Sequence, residues 1–425
     1  MSLKGPLSTI PCHGIFFQPG NHRFLHSHPI GSGMSRASHV DQSHPHGWLT
    51  LFWSTWLVSA LICGALAFTP GYESDILHYK QWARKLTLNG VETAYAGKST
   101  RDYVMYPPVF VYVYAAVGHG YAQWIDTTFD VGRMKASAAL TAGIKGVAVV
   151  AHLALGAAVF ALLRRLHSEK WAAIASASYL LNPAVIFGSA VWGAPDGFHS
   201  LGIVAACGLG ELNAWMPAWV AVALAAACKP QAWILMPLFG FRQLNLGGAR
   251  RILSGGLVAG STIGFLILPY IFSQRIGELL TLPSAIAQYM PYASVNAHNI
   301  WWLAADGRLL LDRDPWIGAI TYEHASIALV LAFTLCVLHL ARGVGRDRLF
   351  MLAAYQAFGW FCLTTQLHEN HSFFVLPLLA LALPFDRWAW KPLLAVSMTL
   401  LANMLLHDPV PRPQFPRISS IASPW

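Results

Sequence analysis

Long apolar runs recur along this chain, and they constrain its fold more than any other feature. Runs of about 20 apolar residues, the length that crosses roughly 30 Å of hydrocarbon, repeat between residues 49 and 406. Only 11% of the residues are charged, whereas a soluble domain carries about 25%. The sequence therefore predicts an all-α polytopic membrane helix bundle rather than two or three soluble domains.

We predict about eleven spans within a membrane domain at residues 48–406. These spans are 49–69, 136–163, 171–190, 197–211, 214–228, 231–246, 252–272, 322–341, 348–366, 371–385 and 388–406. No small-residue cleavage site follows the first span, so we expect an anchor rather than a removed signal peptide.

Polar tails flank the predicted membrane domain. Residues 1–47 are rich in Gly, Pro, Ser and His, and we expect a disordered cytoplasmic tail. Metal binding by its histidines is the alternative, although their spacing fixes no coordination geometry. Met34 offers an alternative start, which N-terminal peptide mapping would test. Residues 407–425 are expected to be a short C-terminal tail.

The basic residues indicate orientation rather than a nucleic-acid partner. The chain has a formal net charge of +9, but its Lys and Arg residues cluster in short loops between apolar runs, as in cytoplasmic membrane loops. The richest loops are 164–167, 242–251, 342–348 and 387–391. The six cysteines stand singly and form no C-x-x-C pair, so they are interpreted as small core residues.

All four basic loops share one side if the N-terminal tail is cytoplasmic and residues 70–135 form a non-crossing outer loop. Residues 109–125 are then a helix lying along the outer membrane surface. Residues 273–320 form a second long outer segment, predicted to be a re-entrant wall for a polyprenyl tail or, alternatively, an ordinary loop packed on the bundle. The polar residues of the outer loops are predicted to converge at this extracytoplasmic face.

The start of the first outer loop carries a candidate site. Ser74 is predicted to cap a helix that begins at Asp75. Asp75, His78, Tyr79 and Trp82 are spaced i, i+3, i+4 and i+7 and therefore share one face of that helix. A carboxylate beside aromatic rings suits a polar, ring-shaped ligand. The alternative is that Asp75 only caps the helix.

Several motifs follow one another in a fixed order between about residues 50 and 385. They are Asp75-(x6)-Trp82, Tyr106-Pro107-Pro108, Asn182-Pro183-(x8)-Trp192-Gly193-Ala194-Pro195-Asp196, Lys229-Pro230-Gln231, Tyr292-Ala293-Ser294-Val295-Asn296-Ala297, Asn299-Ile300-Trp301 and Leu367-His368-Glu369. Together they resemble membrane glycosyltransferases of the GT-C fold. The nearest branch resembles the dolichyl-phosphate-glucose glucosyltransferases of N-glycan precursor assembly and their bacterial relatives.

The chain departs from the family pattern at a few positions. Met105 stands where an Asp precedes Tyr-Pro-Pro, and Asn370 stands where a Lys follows His-Glu. Ala194 and Pro195 interrupt a Trp-Gly-Gln-x-Asp pattern. These differences leave the sugar and the acceptor open.

The resemblance implies a metal-independent, inverting hexosyltransferase without a cofactor. It would move glucose or mannose from a polyprenyl-phosphate donor to a lipid-linked or polymeric acceptor, in a bacterial inner membrane or an endoplasmic reticulum. Asp75 is the matching general base, and Lys229 and His368 are candidates to stabilise the leaving phosphate. The substrate-binding residues are expected to be Glu73, His78, Tyr79, Trp82, Tyr106, Trp192, Asp196, Lys229, Gln231, Asn299, Trp301, His368 and Glu369.

The main alternatives come from other functional classes. A transporter or flippase of lipid-linked sugars would place charged residues at mid-span and often contain inverted repeats. Here no convincing repeat is found, and the polar residues lie at the ends of spans. For Lys229 the structural alternative is snorkelling to the interface, and for His368 it is a hydrogen-bonded structural role.

Overall fold

The computed structural model describes residues 45–97 and 103–407, and in these ranges the chain is almost entirely helical. The α-helices are α1 (Pro45–Leu66), α2 (Glu73–Asn89), α3 (Pro108–Trp124), α4 (Val131–Ala136), α5 (Ala138–Leu166), α6 (Glu169–Leu180), α7 (Pro183–Ile186), α8 (Asp196–Glu211), α9 (Trp215–Ala226), α10 (Met236–Phe272), α11 (Ile276–Leu280), α12 (Leu282–Tyr289), α13 (Ile300–Ala304), α14 (Tyr322–Leu340), α15 (Arg346–Leu363), α16 (Val375–Ala382) and α17 (Trp390–His407). The other elements are 3₁₀ helices at Val91–Thr93 and Pro230–Leu235, a π-helical turn at Phe187–Trp192, and an antiparallel pair of strands, β1 (Pro315–Ile317) and β2 (Ile320–Thr321). The predicted all-α class is confirmed.

Fewer helices than predicted are fit to cross a membrane on their own. In the described ranges, four are long and apolar enough: Gly47–Leu66, Ala138–Leu166, Pro230–Phe272 and Tyr322–Leu340. A fifth would be α6 paired with Pro183–Trp192, across a bend of 51°. The other predicted spans are also helical, but α9 and α16 have 12 and 8 residues, short of the roughly 20 that one straight crossing needs. The predicted spans 231–246 and 252–272 lie in one helical segment, broken at Gly248.

The first outer loop contains two helices close to the predicted ones. α3 confirms a helix at 109–125, which packs against α2; its placement along a membrane surface stays a prediction. α2, however, begins at Glu73 after Tyr72, whose side chain makes no capping hydrogen bond. The predicted start at Asp75 with Ser74 as the cap is therefore wrong, because both acidic residues fit inside the first turn, where the helix dipole favours negative charge.

Predictions at the chain termini lie outside the described residues. These include the histidine-rich part of the tail, Met34, Cys12 and residues 408–425. α1 begins at Pro45, inside the stretch that was assigned to the tail. Among the described cysteines, Cys63 and Cys228 are buried, as predicted for core residues, whereas Cys336 is exposed and the core interpretation is wrong there.

Small residues let α5 and α8 lie side by side. Gly197 contacts Ala151 so closely that a Cβ there would lie 3.0 Å from the Ala151 Cβ. One end of the contact is near Gly197, and the other is at Gly208, which packs on Leu162. Since the contacting positions increase together along both helices, α5 and α8 run in the same direction.

α8 connects two chemically different ends of the bundle, about 22 Å apart at 1.5 Å per residue. Asp196 lies at its first turn and Glu211 at its last. The Glu211 carboxylate accepts hydrogen bonds from Arg242 Nε and Nη2, each at 2.8 Å. Its main-chain carbonyl accepts one from Arg346 Nη2 at 3.0 Å. Two of the basic loops therefore meet at the Glu211 end.

The other two basic loops meet at the same end. Arg164 and Arg165 end α5 beside Leu162, which packs near the last turns of α8. His167 then contacts Phe385 edge to face, with ring centroids 5.5 Å apart, just before the loop 387–391. The structure brings all four basic loops to one end, as the sequence predicted; the membrane side that this end faces stays a prediction.

A buried lysine holds the opposite end together. Lys145 of α5 is completely buried. Its ammonium donates to Leu66 O at 2.9 Å, to Thr69 O at 2.8 Å and to Thr69 Oγ1 at 2.7 Å. These three bonds use all three donors of the group. They fix the end of α1, and hence the point from which the first outer loop begins.

Candidate functional site

Asp75 lies in the first turn of α2 and is held by a tryptophan from a distant part of the chain. Trp192 Nε1 donates a hydrogen bond to Asp75 Oδ2 at 3.1 Å. The indole is itself fixed by Tyr72, whose ring stacks on it with centroids 4.1 Å apart and planes 10° apart. No described residue donates to Asp75 Oδ1, and the side chain is partly exposed. One oxygen is therefore positioned while the other can accept a proton.

The turn after Trp192 explains how the indole is positioned beside Asp75. The π-helical turn closes with the N–H groups of Gly193 and Ala194 both donating to Gly188 O, at 3.1 and 2.9 Å. Gly193 has φ 89°, in the left-handed region that disfavours a side chain. A Cβ there would also lie 2.9 Å from atoms of Ile76 and Lys145. This glycine therefore lets the chain turn directly from Trp192 into α8.

A second carboxylate, Asp196, is fully engaged. Its Oδ1 lies 2.5 Å from Lys229 Nζ, and its Oδ2 accepts from Asn370 Nδ2 at 3.1 Å. Asp196 and Lys229 are each 2% exposed. Asn370, which stands where the resembling family has a Lys, thus supplies a neutral donor to this ion pair. We call Asp196, Lys229 and Asn370 the ion-pair cluster.

Aromatic side chains connect the ion-pair cluster to Asp75. Lys229 Nζ lies 4.9 Å from the centroid of the Tyr106 ring, a cation–π contact. The Tyr106 hydroxyl is 3.0 Å from the Tyr79 hydroxyl, and Tyr79 lies one helical turn after Asp75. Trp82 packs edge to face on Tyr106, with centroids 5.2 Å apart. The face of α2 predicted from spacing is therefore turned towards Lys229.

The surroundings of Asp75 raise its pKa above the ordinary value. Burial is the largest cause; the hydrogen bond from Trp192 and the charges of His78 and Lys229 oppose it, and the negative charge of Asp196 adds to it. For Lys229, burial acts to lower the pKa, but the carboxylate of Asp196 outweighs it and the pKa is raised. Lys229 therefore stays charged, whereas Asp75 is a carboxylate whose protonation state can change.

A histidine loop lies beside the ion-pair cluster. His368 N donates to His371 Nδ1 at 3.2 Å, and His371 Nε2 lies 3.1 Å from the side-chain amide of Gln231. Because a main-chain N–H can only donate, Nδ1 is the acceptor and Nε2 of the neutral ring carries the proton. Gln231 Nε2, the amide atom placed nearest, is also a donor, so we assign the amide in the opposite orientation, with its oxygen accepting from His371 Nε2. His368 Nδ1 is 3.8 Å from Glu369 Oε2.

His368 is partly exposed. Its side chain is 31% exposed, against 5% for Glu369. Burial, followed by the charge of Lys229, lowers the pKa of His368, so the ring is neutral near pH 7 and can donate one N–H. The strand-like segment 292–296 fixes the loop, since Val295 N donates to Leu367 O at 2.9 Å.

Asn299 and Trp301, two predicted substrate contacts, hold the chain together. Asn299 caps α13 and donates to Phe361 O at 3.2 Å and to Thr364 O at 2.9 Å. Trp301 Nε1 donates to Leu363 O at 2.7 Å. Both are buried, so their polar groups bind the end of α15, and contact with a substrate stays a prediction. Glu73 is exposed on the first turn of α2.

Sequence reasoning missed several residues near the site. His199 is 1% exposed, and its Nδ1 is 3.9 Å from Asp196 Oδ1. Its position three residues after Asp196 in a helix could have indicated this contact. Tyr72, Asn370 and His371 were also missed as contributors, because their partners are distant in sequence. Among the described residues, no group of three or more His, Cys, Asp or Glu side chains could hold a metal ion; metal independence stays a prediction.

No protein-family model matches the chain, and no curated protein matches it by sequence. The resemblance to GT-C glycosyltransferases therefore depends on the sequence motifs alone. Motifs around Asp75, Trp192, Lys229 and His368, which are far apart along the chain, contribute side chains to one end of the bundle.

Proposed function

We propose that this chain is a membrane-embedded hexosyltransferase of the GT-C type. It takes glucose or mannose from a polyprenyl-phosphate donor and transfers it, with inversion, to a lipid-linked or polymeric acceptor. Asp75 is the general base. The reaction takes place at the extracytoplasmic face of a bacterial inner membrane or an endoplasmic reticulum membrane.

One observation carries the proposal: the two carboxylates of the site differ in what they can do. Both oxygens of Asp196 are bound by Lys229 and Asn370, and its side chain is 3% exposed. Asp75 has one oxygen held by Trp192, an oxygen to which no described residue donates, and a raised pKa. A positioned carboxylate that can gain a proton is what a general base requires.

The proposed reaction is a single displacement. An acceptor hydroxyl gives its proton to Asp75 Oδ1 while its oxygen forms a bond to the anomeric carbon of the sugar. The bond between that carbon and the donor phosphate oxygen breaks, and the lipid phosphate leaves with the electron pair. One carboxylate and one good leaving group are sufficient, because no covalent intermediate forms on the protein.

The leaving phosphate needs positive charge or hydrogen-bond donors on the opposite side of the sugar. Lys229 supplies charge, although Asp196 neutralises much of it, and its burial makes the charge act through the interior. The partly exposed His368 is the better direct donor, since its neutral ring offers an N–H. The phosphate is therefore proposed to contact His368, with Lys229 acting at longer range.

The substrate walls are proposed to be aromatic. Tyr79 and Trp82 are buried and pack against the partly exposed Tyr106 beside Asp75. The Tyr106 ring, held by these two, is proposed to stack on an apolar face of the sugar. The segment 273–320 folds into short helices and a strand pair. Its residues Val295 and Asn296 form β-bridges with His368 of the histidine loop. This segment is proposed to form one wall of the groove that holds the polyprenyl tail.

The architecture is proposed to have about eleven crossings, with the shorter helices completing spans in pairs. Residues 48–406 would form the membrane domain and residues 70–135 its catalytic outer loop. The basic end of the bundle would then face the cytoplasm, which agrees with the excess of Lys and Arg in cytoplasmic loops.

The test is a donor panel. Purified full-length protein in lipid nanodiscs is incubated with polyprenyl-phosphate glucose, polyprenyl-phosphate mannose and the nucleotide sugars, together with membrane lipid acceptors. We expect transfer from one polyprenyl-phosphate hexose, unchanged by EDTA. Failure with every polyprenyl-phosphate hexose would refute the proposal. Movement of the intact lipid-linked sugar across vesicles, without bond cleavage, would favour the flippase instead.

A further inference from the structure

A groove lies between α1 and α5, on the far side of the molecule from Asp75. Its volume is about 580 Å³. It is lined by Leu49, Phe52, Trp53, Ala157, Phe160, Ala161, Arg164 and Arg165. We call it the α1–α5 groove. Its wall is apolar along most of the length, and its only charged residues are the two arginines at one end.

Small residues on α5 create the space. Phe52 stacks on Phe160 with ring centroids 4.0 Å apart and planes 15° apart, so α1 and α5 are in contact at these rings. Ala157 and Ala161 lie three residues before and one residue after Phe160 on the same helix, and their methyl groups leave the rest of the contact unfilled. The wall of the groove is therefore apolar between the two helices.

The groove is open towards the surface of the bundle. Both of its walls belong to helices that are fit to cross a membrane. Trp53 is 56% exposed, and Ala161 is exposed as well. In a bilayer, such a surface faces acyl chains rather than water. An occupant must therefore have at least one hydrocarbon chain.

The charged end requires an anion. Arg164 Nε lies 3.4 Å from Glu169 Oε2, and that ion pair is partly exposed. Arg165 is exposed, and no carboxylate of a described residue pairs with it. Two guanidinium groups and one carboxylate leave a net positive charge at the end of an apolar channel. Guanidinium groups bind phosphate oxygens in a two-pronged geometry.

We propose that the α1–α5 groove binds an anionic phospholipid of the surrounding leaflet. One acyl chain lies along Phe52, Ala157 and Ala161, and the headgroup phosphate is bound by Arg165 with help from Arg164. This site is separate from the Asp75 site, since the arginines lie at the basic end of the bundle. The proposal does not depend on the proposed enzymatic function.

Native mass spectrometry of the full-length protein in detergent tests the site. Phosphatidylglycerol is titrated against the wild type, the double variant Arg164→Gln/Arg165→Gln, and the groove-filling variant Ala161→Trp. Because the two arginines supply the positive charge that binds the headgroup phosphate, the double variant should bind the lipid at least tenfold more weakly, a loss of about 1.4 kcal/mol. Ala161→Trp should bind it weakly even though its arginines are intact.

Controls separate this site from general attraction of charge. Arg308→Gln removes an exposed arginine elsewhere and should bind phosphatidylglycerol like the wild type. Phosphatidylcholine should bind the wild type more weakly than phosphatidylglycerol, and inorganic phosphate should not displace the lipid. Equal phosphatidylglycerol binding by wild type and double variant would overturn the proposal, as would normal binding by a folded Ala161→Trp protein.

A second measurement works even if a variant folds poorly. Phosphatidylglycerol with brominated acyl chains quenches tryptophan fluorescence on contact, and Trp53 lines the groove. The difference in quenching between the wild type and Trp53→Phe should increase with the lipid concentration and then saturate. An identical quenching curve for the two proteins would show that no acyl chain reaches the groove.

Discussion

At the scale of single residues, the site works by giving two similar carboxylates different partners. Asp196 meets a lysine and an amide, and becomes a buried structural anion. Asp75 meets an indole N–H, a donor that positions it without neutralising its charge. The same residue type therefore anchors the bundle at one position and is available for proton transfer at the other.

The raised pKa of Asp75 predicts the pH dependence of sugar transfer. A base works only when deprotonated, so the rate should fall as the pH drops through the pKa of Asp75. Because burial raises this pKa, the fall should occur above about pH 4, where an ordinary Asp would titrate. The hydrogen bond from Trp192 lowers the pKa, and Trp192→Phe should therefore move the fall to higher pH.

This profile is measured as the transfer rate between pH 4 and pH 9 for the wild type and Trp192→Phe. Trp388→Phe, at an exposed tryptophan on the basic end, is the matched control and should follow the wild type. A shift of the Trp192→Phe profile to lower pH would contradict the assigned hydrogen bond.

At the scale of elements, the site depends on how each helix begins. α2 starts one residue after Tyr72, which stacks on Trp192. α8 starts directly after the left-handed turn at Gly193. The geometry of the candidate site is therefore set by two turns, and Lys145 anchors the first of them to α5 through Thr69.

Gly193→Ala should damage the site more than the fold. An alanine in the left-handed region costs about 1–2 kcal/mol, and its Cβ would press on Ile76 and Lys145. We expect a modest fall in melting temperature and a transfer rate reduced at least tenfold, because Trp192 moves away from Asp75. Gly120→Ala, where a Cβ meets nothing within 4 Å, is the control, and equal rates for both variants would contradict this account.

The local part of this arrangement could be predicted from the sequence, and the distant part could not. Helical spacing predicted that Asp75, Tyr79 and Trp82 share a face, because such spacing is a local property. It could not indicate the bond between Asp75 and Trp192, which lie 117 residues apart. Lys145 was missed because it lies inside an apolar run that was interpreted only as a span.

The number of crossings could not be settled from the sequence, also for a physical reason. The sequence shows apolar runs, but it does not show whether a run is one straight helix or a helix broken by a bend. Asn182 caps α7 through the N–H groups of Ala184 and Val185, so the run 171–190 divides into two short helices. Gly248, whose φ is 65°, breaks a long helical segment between residues 246 and 252, where the sequence had placed the end of one span and the start of the next.

At the scale of the whole molecule, the basic loops and the candidate site lie at opposite ends of the bundle. Glu211, Arg242 and Arg346 mark the basic end, and Asp196 with Lys229 marks the other. A membrane would keep the two ends on different sides. The proposed reaction therefore takes place away from the basic loops.

Cysteine labelling tests this orientation. Thr127→Cys in the first outer loop and Arg250→Cys in a basic loop are both at exposed positions. In intact cells, a membrane-impermeant maleimide should label Thr127→Cys, whereas Arg250→Cys should react only after permeabilisation. The wild type reports the background from native cysteines. Labelling of both sites from the same side would contradict the orientation.

The most direct test of the account is the transfer rate of Asp75→Asn. Asparagine keeps the shape and can still accept the indole hydrogen bond, but it cannot take a proton. We predict a rate about 10²–10⁴-fold below that of the wild type, with unchanged binding of the polyprenyl-phosphate donor. Asp306→Asn, which also removes a carboxylate but at an exposed position, should retain full activity. An Asp75→Asn rate within a few fold of wild type would contradict the central claim.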